Sequence, residues 1–309
     1  MRVLTWNLWW RFGPWEARRE AILEVLREER PDIVGLQEVW ARNGENLAAW
    51  LAGELDMHWT WDPFASPERW QKRIGDAAVD VGVAVLSRWP IAARGVAPLP
   101  ADGGRDDGRS ALYALLDAPG GPVPFFTVHL NSSPGESAVR CAQVRALSAF
   151  VAERRADAVF PPVVTGDFNA WPDSDEIRLF GGCLTEPAVP GQVMLDAWSY
   201  ADPAAPWATW DPANPYAAQS HGPPTRIDYI HAGAPGPGGL GRVMSVRRTG
   251  DGPVRGVWPS DHAAVVADLA LPPGGEPGAE SGAEPAAKGA EPGARPGPEW
   301  RPSAGHGPG

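Results

Sequence analysis

Cysteine and lysine are the residues that this chain of 309 amino acids has least of. Its two cysteines, Cys141 and Cys183, exclude a framework of several disulfides. Its two lysines, Lys72 and Lys288, and a net charge of −11 argue against a sequence-independent binder of nucleic-acid backbones. No stretch of 18 apolar residues is present, so we expect no stable membrane insertion.

Several known catalytic and targeting patterns are also absent. No His-Glu-x-x-His or cysteine cluster indicates a zinc site, no Gly-x-x-x-x-Gly-Lys loop indicates nucleotide phosphates, and no Gly-x-Ser-x-Gly elbow indicates a serine hydrolase. The sequence after Arg2 runs directly into a strand pattern, without the basic and apolar regions of a signal peptide. We therefore expect a cytoplasmic protein and, by default, a monomer.

The composition changes near the end of the chain. Residues 272–309 consist largely of Gly, Pro, Ala and Glu with almost no aliphatic side chains, so they cannot bury enough apolar surface to offset the entropy of ordering. This predicts a disordered tail that follows one folded domain over residues 1–271. A tail of this kind leaves most of the negative charge in the folded part.

Apolar periodicity predicts strands and helices in both halves of the domain. Helices are predicted at residues 15–30, 46–55, 137–155 and 173–180, and residues 182–225 read mostly as loop. The predicted strands lie at 2–7, 32–38, 81–87, 110–117, 123–129, 163–165, 226–231, 242–248 and 263–269. Consecutive strands between the helices argue against a purely parallel sheet. The pattern predicts an α+β fold of two packed, mostly antiparallel sheets with helices outside.

Polar side chains follow many of the predicted strands. Glu38 ends the second strand, and Gly166-Asp167-Phe168-Asn169 forms a turn after another. A carboxylate at such a position is either a hard oxygen ligand for Mg²⁺ or a structural partner of an arginine. Asp and Asn beside Gly are also ordinary turn residues, so neither motif is decisive alone.

Asp261-His262 and Asp228 form the third polar element. An Asp that accepts a hydrogen bond from an imidazole fixes its tautomer and keeps it cationic, which suits a site where negative charge develops. His129, taken alone, is more typical of a buried structural histidine. The remaining histidines lack such polar company and are interpreted as structural or solvated.

The motifs in their order resemble the endonuclease/exonuclease/phosphatase superfamily, to which deoxyribonuclease I also belongs. The resemblance spans residues 2 to about 270 and rests on the following series: Trp6-Asn7, Gln37-Glu38, residues 82–91 (GVAVLSRWPI), His129-Leu130, residues 166–169 (GDFN), residues 226–229 (RIDY) and Ser260-Asp261-His262. It implies a four-layered α/β sandwich and a phosphoesterase that uses a divalent metal, usually Mg²⁺, with Mn²⁺ as an alternative.

The resemblance also implies roles for individual residues. Glu38 would be the principal metal ligand with Asn7 beside it, and Asp261 would be a carboxylate on the metal or water side. His262, held by Asp228, would act on the scissile phosphate as a base or as a charge stabiliser.

Three further roles follow from the same resemblance. Asp167 would orient the attacking water, and Asn169 would hydrogen-bond the phosphate oxygens in the transition state. His129 matches the second histidine of the deoxyribonuclease, sphingomyelinase and inositol-phosphatase branches, where abasic-site nucleases carry a tyrosine. This difference disfavours a repair nuclease.

The substrate is left open by the sequence. It is a phosphate ester, whether a small molecule, a nucleic acid or a lipid headgroup, and Arg140 and Asn131 are candidate substrate-binding residues. Arg140 is equally consistent with a solvated helix charge. The 16 tryptophans indicate either ordinary packing or an aromatic wall beside the site. A nuclease, a non-catalytic binding protein and a metal-independent esterase using Ser260 remain as alternatives.

Deletion of residues 273–309 tests the interpretation of the tail. We expect the truncated protein to keep its hydrolytic activity, because a segment that cannot pack should contribute nothing to the site. Activity and unfolding of the two proteins should be measured side by side. A large loss of activity on truncation would contradict the prediction.

Overall fold

The computed structural model describes residues 1–101, 107–155 and 158–271, and the predicted tail at 272–309 lies outside the described residues. Two sheets pack face to face, and helices cover their outer faces. This confirms the predicted four-layered α/β sandwich. Within the described ranges, no helix combines the length and apolar character that crossing a bilayer demands.

The elements of the first part of the chain alternate between strands and helices. In order they are β1 (Arg2–Asn7), α1 (Trp15–Glu29), β2 (Ile33–Arg42), β3 (Glu45–Asn46), α2 (Leu47–Leu55), β4 (His58–Pro63), α3 (Glu68–Ile74), β5 (Asp80–Ser87) and β6 (Ile91–Pro98). The remaining elements are β7 (Ser110–Leu116), β8 (Val123–His129), α4 (Ser137–Arg154), β9 (Val163–Asp167), α5 (Asp175–Gly181), β10 (Met194–Asp196), β11 (Asp228–Gly233), β12 (Val243–Thr249) and β13 (Ala264–Leu269). Short 3₁₀ turns lie at Ala197–Tyr200, Ala217–Ser220 and Pro237–Gly239.

Each predicted helix and strand is found within a few residues of its expected bounds, but several elements were missed. The missed elements are β3, β4, α3, β6 and β10. β4 and β6 are the outermost strands of their sheets and are largely solvent-accessible, so hydrophobic alternation does not mark them. The predicted loop at 182–225 is also interrupted by β10 and two 3₁₀ turns.

Both sheets are mixed, with mostly antiparallel pairing as predicted. The first sheet has the order β12-β13-β1-β2-β5-β4, with β3 added to β2, and the second has the order β10-β11-β9-β8-β7-β6. The parallel neighbours are β1 with β2 and β8 with β9. In each parallel pair, the two carboxyl ends therefore meet at one edge of the sheet.

Alternating side chains of β8 divide the core into two layers. Phe126 and Val128 pack in the cluster that includes Leu147 and Phe150 of α4, which covers the outer face of the second sheet. Phe125 belongs to the larger cluster, which contains the apolar side chains of the first sheet. The period-two pattern of a strand thus builds both the helix–sheet layer and the sheet–sheet layer.

The two sheets approach each other closely at Gly35 of β2. A Cβ atom at this position would lie 2.1 Å from Thr165 Oγ1 and 2.9 Å from Thr127 Oγ1, both on the second sheet. Two residues along β2, Gln37 Nε2 donates to Thr127 Oγ1 at 2.9 Å and to Thr5 Oγ1 at 3.1 Å. The sheets are therefore joined near the carboxyl end of β1 by a steric fit and by a buried hydrogen bond.

Substitution of Gly35 by alanine should destabilise the fold by about 1–3 kcal/mol, because the new methyl group overlaps threonine side chains that the core holds in place. Gly53→Ala is the matched control, since its Cβ meets open space on α2 and alanine favours a helix by about 0.5–1 kcal/mol. Urea unfolding measures both free energies. Equal stability of the Gly35 variant and the wild type would contradict the close fit.

Candidate active site

The register of the strands brings several of the predicted site residues together. In the second sheet His129 pairs with Asp167 across β8 and β9, and Asp167 pairs with Asp228 across β9 and β11. In the first sheet Asn7 pairs with Gln37 across β1 and β2. Because the sheets face each other, the ends of these strands form two sides of one cavity.

Glu38 reaches this cavity through an irregularity in β2. The strand was predicted to end at Glu38, but it continues to Arg42, so that prediction is wrong. Glu38 has a φ of 54° and lies where the pairing of β2 with β5 shifts register between Leu36 and Val39. A bulge of this kind redirects a side chain, so Glu38 faces the site. Regular alternation along the strand would have turned it to the opposite face of the sheet.

His262 lies just before β13 and is oriented by Asp228 from the other sheet. Its Nδ1 lies 2.9 Å from Asp228 Oδ2, and its Nε2 lies 3.9 Å from Asp167 Oδ2 and 4.0 Å from Asp261 Oδ1. Trp6 Nε1 donates to the carbonyl of His262 at 2.9 Å. The imidazole is therefore held from behind and faces a group of carboxylates.

Asn7 and His129 complete the contacts around Asp167. Asn7 Nδ2 donates to Glu38 Oε1 at 3.1 Å and to Asp167 Oδ2 at 3.0 Å, and His129 Nε2 lies 3.4 Å from the same Asp167 oxygen. The backbone N–H of Asn169 donates to the other oxygen, Asp167 Oδ1, at 2.9 Å. Asp167 is thus contacted by side chains from both sheets.

The site is rich in negative charge. Burial raises the pKa of Glu38, and it raises the pKa of Asp167 to about 7 with the help of the nearby Asp228. Burial likewise raises the pKa of Asp261 to about 7, with a smaller contribution from Glu38. A cation placed beside these three buried carboxyl groups would favour their ionised forms.

The two histidines of the site differ in charge. Burial alone disfavours the charged form of His262, but the carboxylates of Asp228, Asp261 and Asp167 raise its pKa well above the ordinary value. Burial, together with the cations of Arg109 and His262, lowers the pKa of His129 well below its ordinary value. These shifts favour the imidazolium form of His262 and the neutral form of His129.

The donor set fits a hard divalent cation. Glu38 Oε2 is buried and accepts no hydrogen bond within the described residues, and the Asn7 amide nitrogen lies between two carboxylates where a cation would be expected. Asn7 Oδ1 is already engaged by the Trp9 N–H at 3.0 Å, so ligation by this oxygen would require the amide to turn.

A second group could also hold a cation. Oxygens of Asp167 and Asp228 and a ring nitrogen of His262 all lie within 4.8 Å of one another. The short contact between Asp228 and His262 Nδ1 accounts for much of this clustering, because it is a charge-assisted hydrogen bond.

The site opens into a cavity of about 730 Å³. Polar side chains form its floor: Glu38, His129, Asp167, Asn169, Asp261 and His262. Aromatic side chains line it as well: Trp9, Phe12, Trp70, Trp171 and Trp210. Trp210 packs edge-on against His262 with ring centroids 4.8 Å apart, and Trp171 is 55% exposed. A volume of this size suits a small ligand.

The two predicted substrate-binding residues are already engaged by the protein. Arg140 is buried rather than solvated, and its guanidinium donates to Glu176 at 2.9 Å and to the carbonyls of residues 131, 133 and 134. The Asn131 amide donates to Glu136 and accepts from Gln143, and Asn131 lines a neighbouring cavity of about 180 Å³. The interpretation of Arg140 as a solvated charge is therefore wrong.

Ser260 has a structural contact that bears on the esterase alternative. It is fully buried, and its hydroxyl donates to the carbonyl of Asn7 at 2.6 Å. A nucleophile must reach the substrate, so this placement disfavours Ser260 in that role.

Arg18 is a buried residue that the sequence reasoning missed. Its five N–H groups donate to five carbonyls, namely those of Leu8, Trp9, Trp10, Phe12 and Pro259. The guanidinium thereby fixes the loop after β1, which has left-handed residues at Trp9 and Trp10, to the segment that carries His262. One sequence signal could have indicated its burial. Arg18 precedes Ala21 and Ile22 by three and four residues, so it lies on the apolar face of α1.

The family model described as the endonuclease/exonuclease/phosphatase family matches residues 4–274. The chain belongs to this family. No protein of curated function matches it in sequence.

Solved structures share the fold. The catalytic domain of human Nocturnin, solved with a bound sulfate anion, has a TM-score of 0.65 and 22% identity, covering 87% of this chain and 94% of that chain. Truncated TDP2 from Caenorhabditis elegans has a TM-score of 0.63 and 22% identity, with coverage of 86% and 96%. A mannosyl-6-phosphatase from Bacteroides thetaiotaomicron has a TM-score of 0.62 and 17% identity, with coverage of 88% and 100%.

Replacement of Arg18 by lysine tests whether its five hydrogen bonds stabilise the loop after β1. Lysine has three donors in place of five, so buried carbonyls lose their partners and we expect a loss of about 2 kcal/mol or more in unfolding free energy. Arg19→Lys, on the same helix and partly exposed, should change stability by no more than about 0.5 kcal/mol. Denaturant titration of both variants is the measurement, and similar losses in the two would contradict the assignment.

Proposed function

We propose that this protein is a divalent-metal-dependent phosphoesterase that hydrolyses a phosphodiester or a phosphomonoester by attack of water. The observation that supports it is the convergence of Glu38, Asp167 and His262, which are distant in sequence, on one cavity floor. Membership of a family of phosphate-ester hydrolases supports the same reaction. We further propose a monomer in the cytoplasm, a suggestion that rests on the sequence alone.

Magnesium is the proposed cofactor, with Mn²⁺ as an alternative. Glu38 and Asp261, with Asn7 after its amide turns, would hold the cation. When bound, it would neutralise a phosphate oxygen and lower the pKa of a water molecule. Asp167, Asp228 and His262 form the competing ligand group, which we disfavour because the bond from His262 Nδ1 to Asp228 Oδ2 already engages one atom of each of these two residues.

His262 is proposed to stabilise charge rather than to act as a base. Its Nδ1–H is held by Asp228, which leaves Nε2–H free to donate to an oxygen of the scissile phosphate. Donors that are fixed before the reaction lower the barrier because they need no reorganisation as charge develops.

Asp167, Asn169 and His129 are proposed to act around the attacking water. Asp167 lies on the cavity floor beside both histidines, so its carboxylate can orient the water and accept its proton. Neutral His129 can donate or accept one hydrogen bond there. Asn169 now donates its amide to the carbonyl of Leu130, and its contact with phosphate oxygens would need a local adjustment.

A nuclease is the second candidate within the family. A long nucleic acid would need several cations along its path, whereas the described residues lining the cavity include two arginines, one of which is tied to Glu176. A small ester therefore fits better. A mannosyl-6-phosphatase among the structural neighbours is consistent with a small phosphomonoester, although the likeness concerns the fold. A non-catalytic binding protein is disfavoured because every predicted catalytic side chain is present.

The substrate class should be tested with plasmid DNA, RNA, bis-p-nitrophenyl phosphate, sphingomyelin and inositol phosphates, each with Mg²⁺ and with Mn²⁺. We expect hydrolysis that EDTA stops and that added metal restores. A metal-independent esterase would be unaffected by EDTA.

Glu38→Gln and His262→Asn test the proposed catalytic roles. Each should lower the turnover rate by at least roughly 10²–10³, because each removes a group that acts on the transition state. Glu45→Gln and His58→Asn change exposed residues of the same types and should retain activity. Wild-type rates for either site variant, with its fold intact by circular dichroism, would overturn the proposal.

A further inference from the structure

Arg73 is a cavity-lining cation that has no hydrogen-bond partner among the described residues. It is exposed near the end of α3, and within the described part of the chain it makes no hydrogen bond or ion pair. The other arginine that lines the cavity, Arg140, is buried and committed to Glu176 and to loop carbonyls. Arg73 therefore differs from Arg140 in having donors that remain open to a ligand.

The Arg73 guanidinium is nevertheless held in place. Its Cζ lies 4.2 Å from the ring centroid of Phe12 and 5.8 Å from that of Trp70. Stacking on an aromatic ring restrains the plane of a guanidinium while leaving its N–H edge available. A stacked and unpaired arginine loses less entropy on binding an oxyanion than a freely rotating side chain does.

The Trp70 ring beside Arg73 is itself held by packing. Trp70 is buried and packs edge-on against Trp10, with ring centroids 5.8 Å apart, and Trp10 Nε1 donates to the carbonyl of Asp80 at 2.8 Å. Trp70 also contacts the ring of His129 at 6.3 Å between centroids. The platform that carries Arg73 is thus continuous with the catalytic floor.

Charge explains why such a cation matters in this cavity. The other acidic or basic side chains that line it include the carboxyl groups of Glu38, Asp167, Asp261 and Glu176. A substrate with two anionic groups can place one on the floor, where the cation and His262 would meet it. Its second anion would be repelled by the carboxylates unless a local positive charge received it.

We propose that Arg73, stacked on Phe12 and Trp70, is a subsite for a second oxyanion of the substrate. The favoured substrate class is then a small phosphate ester that carries another phosphate or a carboxylate, in preference to a monoanionic ester. This inference rests on the proposed function, because it assumes that the first phosphate binds at the floor.

Binding of alkane phosphonates to the full-length protein with Mg²⁺ tests the subsite without requiring turnover. Isothermal titration calorimetry would compare an alkyl monophosphonate with α,ω-bisphosphonates and with ω-carboxy monophosphonates of two to six methylenes. At one chain length, we expect a second anion to tighten binding by about tenfold, as a charge-assisted hydrogen bond to arginine allows. The two series distinguish a phosphate from a carboxylate as the second anion.

Variants identify the residue responsible. Arg73→Gln should abolish the gain from the second anion and leave monophosphonate affinity unchanged, whereas Arg73→Lys should retain part of the gain. Arg19→Gln is the matched control, because Arg19 is stacked on Trp50 at 4.4 Å but lies outside the cavity lining. It should bind like the wild type.

The outcomes separate this inference from the proposed function. If monophosphonate binds with Mg²⁺ but no second anion at any length improves affinity, or if Arg73→Gln keeps the full gain, the subsite is refuted and the phosphoesterase proposal stands. If the monophosphonate shows no metal-dependent binding at all, the proposed function fails, and the subsite fails with it.

Discussion

Gly35 sets the distance at which the two sheets meet, because Thr127 and Thr165 of the second sheet occupy the space where its Cβ would lie. The geometry of the candidate active site depends on this contact. Asn7 and Glu38 come from one sheet, Asp167 and Asp228 come from the other, and their side chains bond only if the sheets lie close at this edge. A separation larger by the width of a methyl group would break the bond from Asn7 to Asp167. The fold and the site are therefore constrained by the same contact.

The electrostatics of the site follow from that closeness. Burying four carboxylates around one imidazole is unfavourable unless positive charge balances them, and the imidazolium of His262 supplies only part of it. Arg18 uses all five of its N–H donors on backbone carbonyls. It therefore positions the loop after β1, and its positive charge acts on the carboxylates only at a distance. The remaining imbalance is the physical basis for the proposed metal ion at the floor and for the proposed role of Arg73 toward a second anion.

The sequence predicted the fold class and the residues of the floor, because both can be recognised from short sequence patterns. Buried strands such as β5 and β8 have long apolar runs, and Asp167, Asp228 and His262 lie at strand ends that register brings together. The bulge at Glu38 could not be predicted, since it is set by pairing with β5 rather than by any residue in β2. Edge strands β4 and β6 were missed because their neighbours, not their own hydrophobicity, hold them. The environment of Arg140 depended on Glu176, 36 residues away, and no local pattern could show it.

The position of β1 in the first sheet has a consequence for how the chain reaches its native state. The first strand of the chain lies between β2 and β13, the last strand, so one of its hydrogen-bonding edges stays without a partner until residues 264–269 arrive. During synthesis on the ribosome, the amino-terminal half therefore waits with an open, apolar edge for almost the whole length of the domain. Such long-range closure slows folding and exposes the nascent chain to aggregation, so this protein is expected to depend on chaperones more than a domain assembled from local hairpins does.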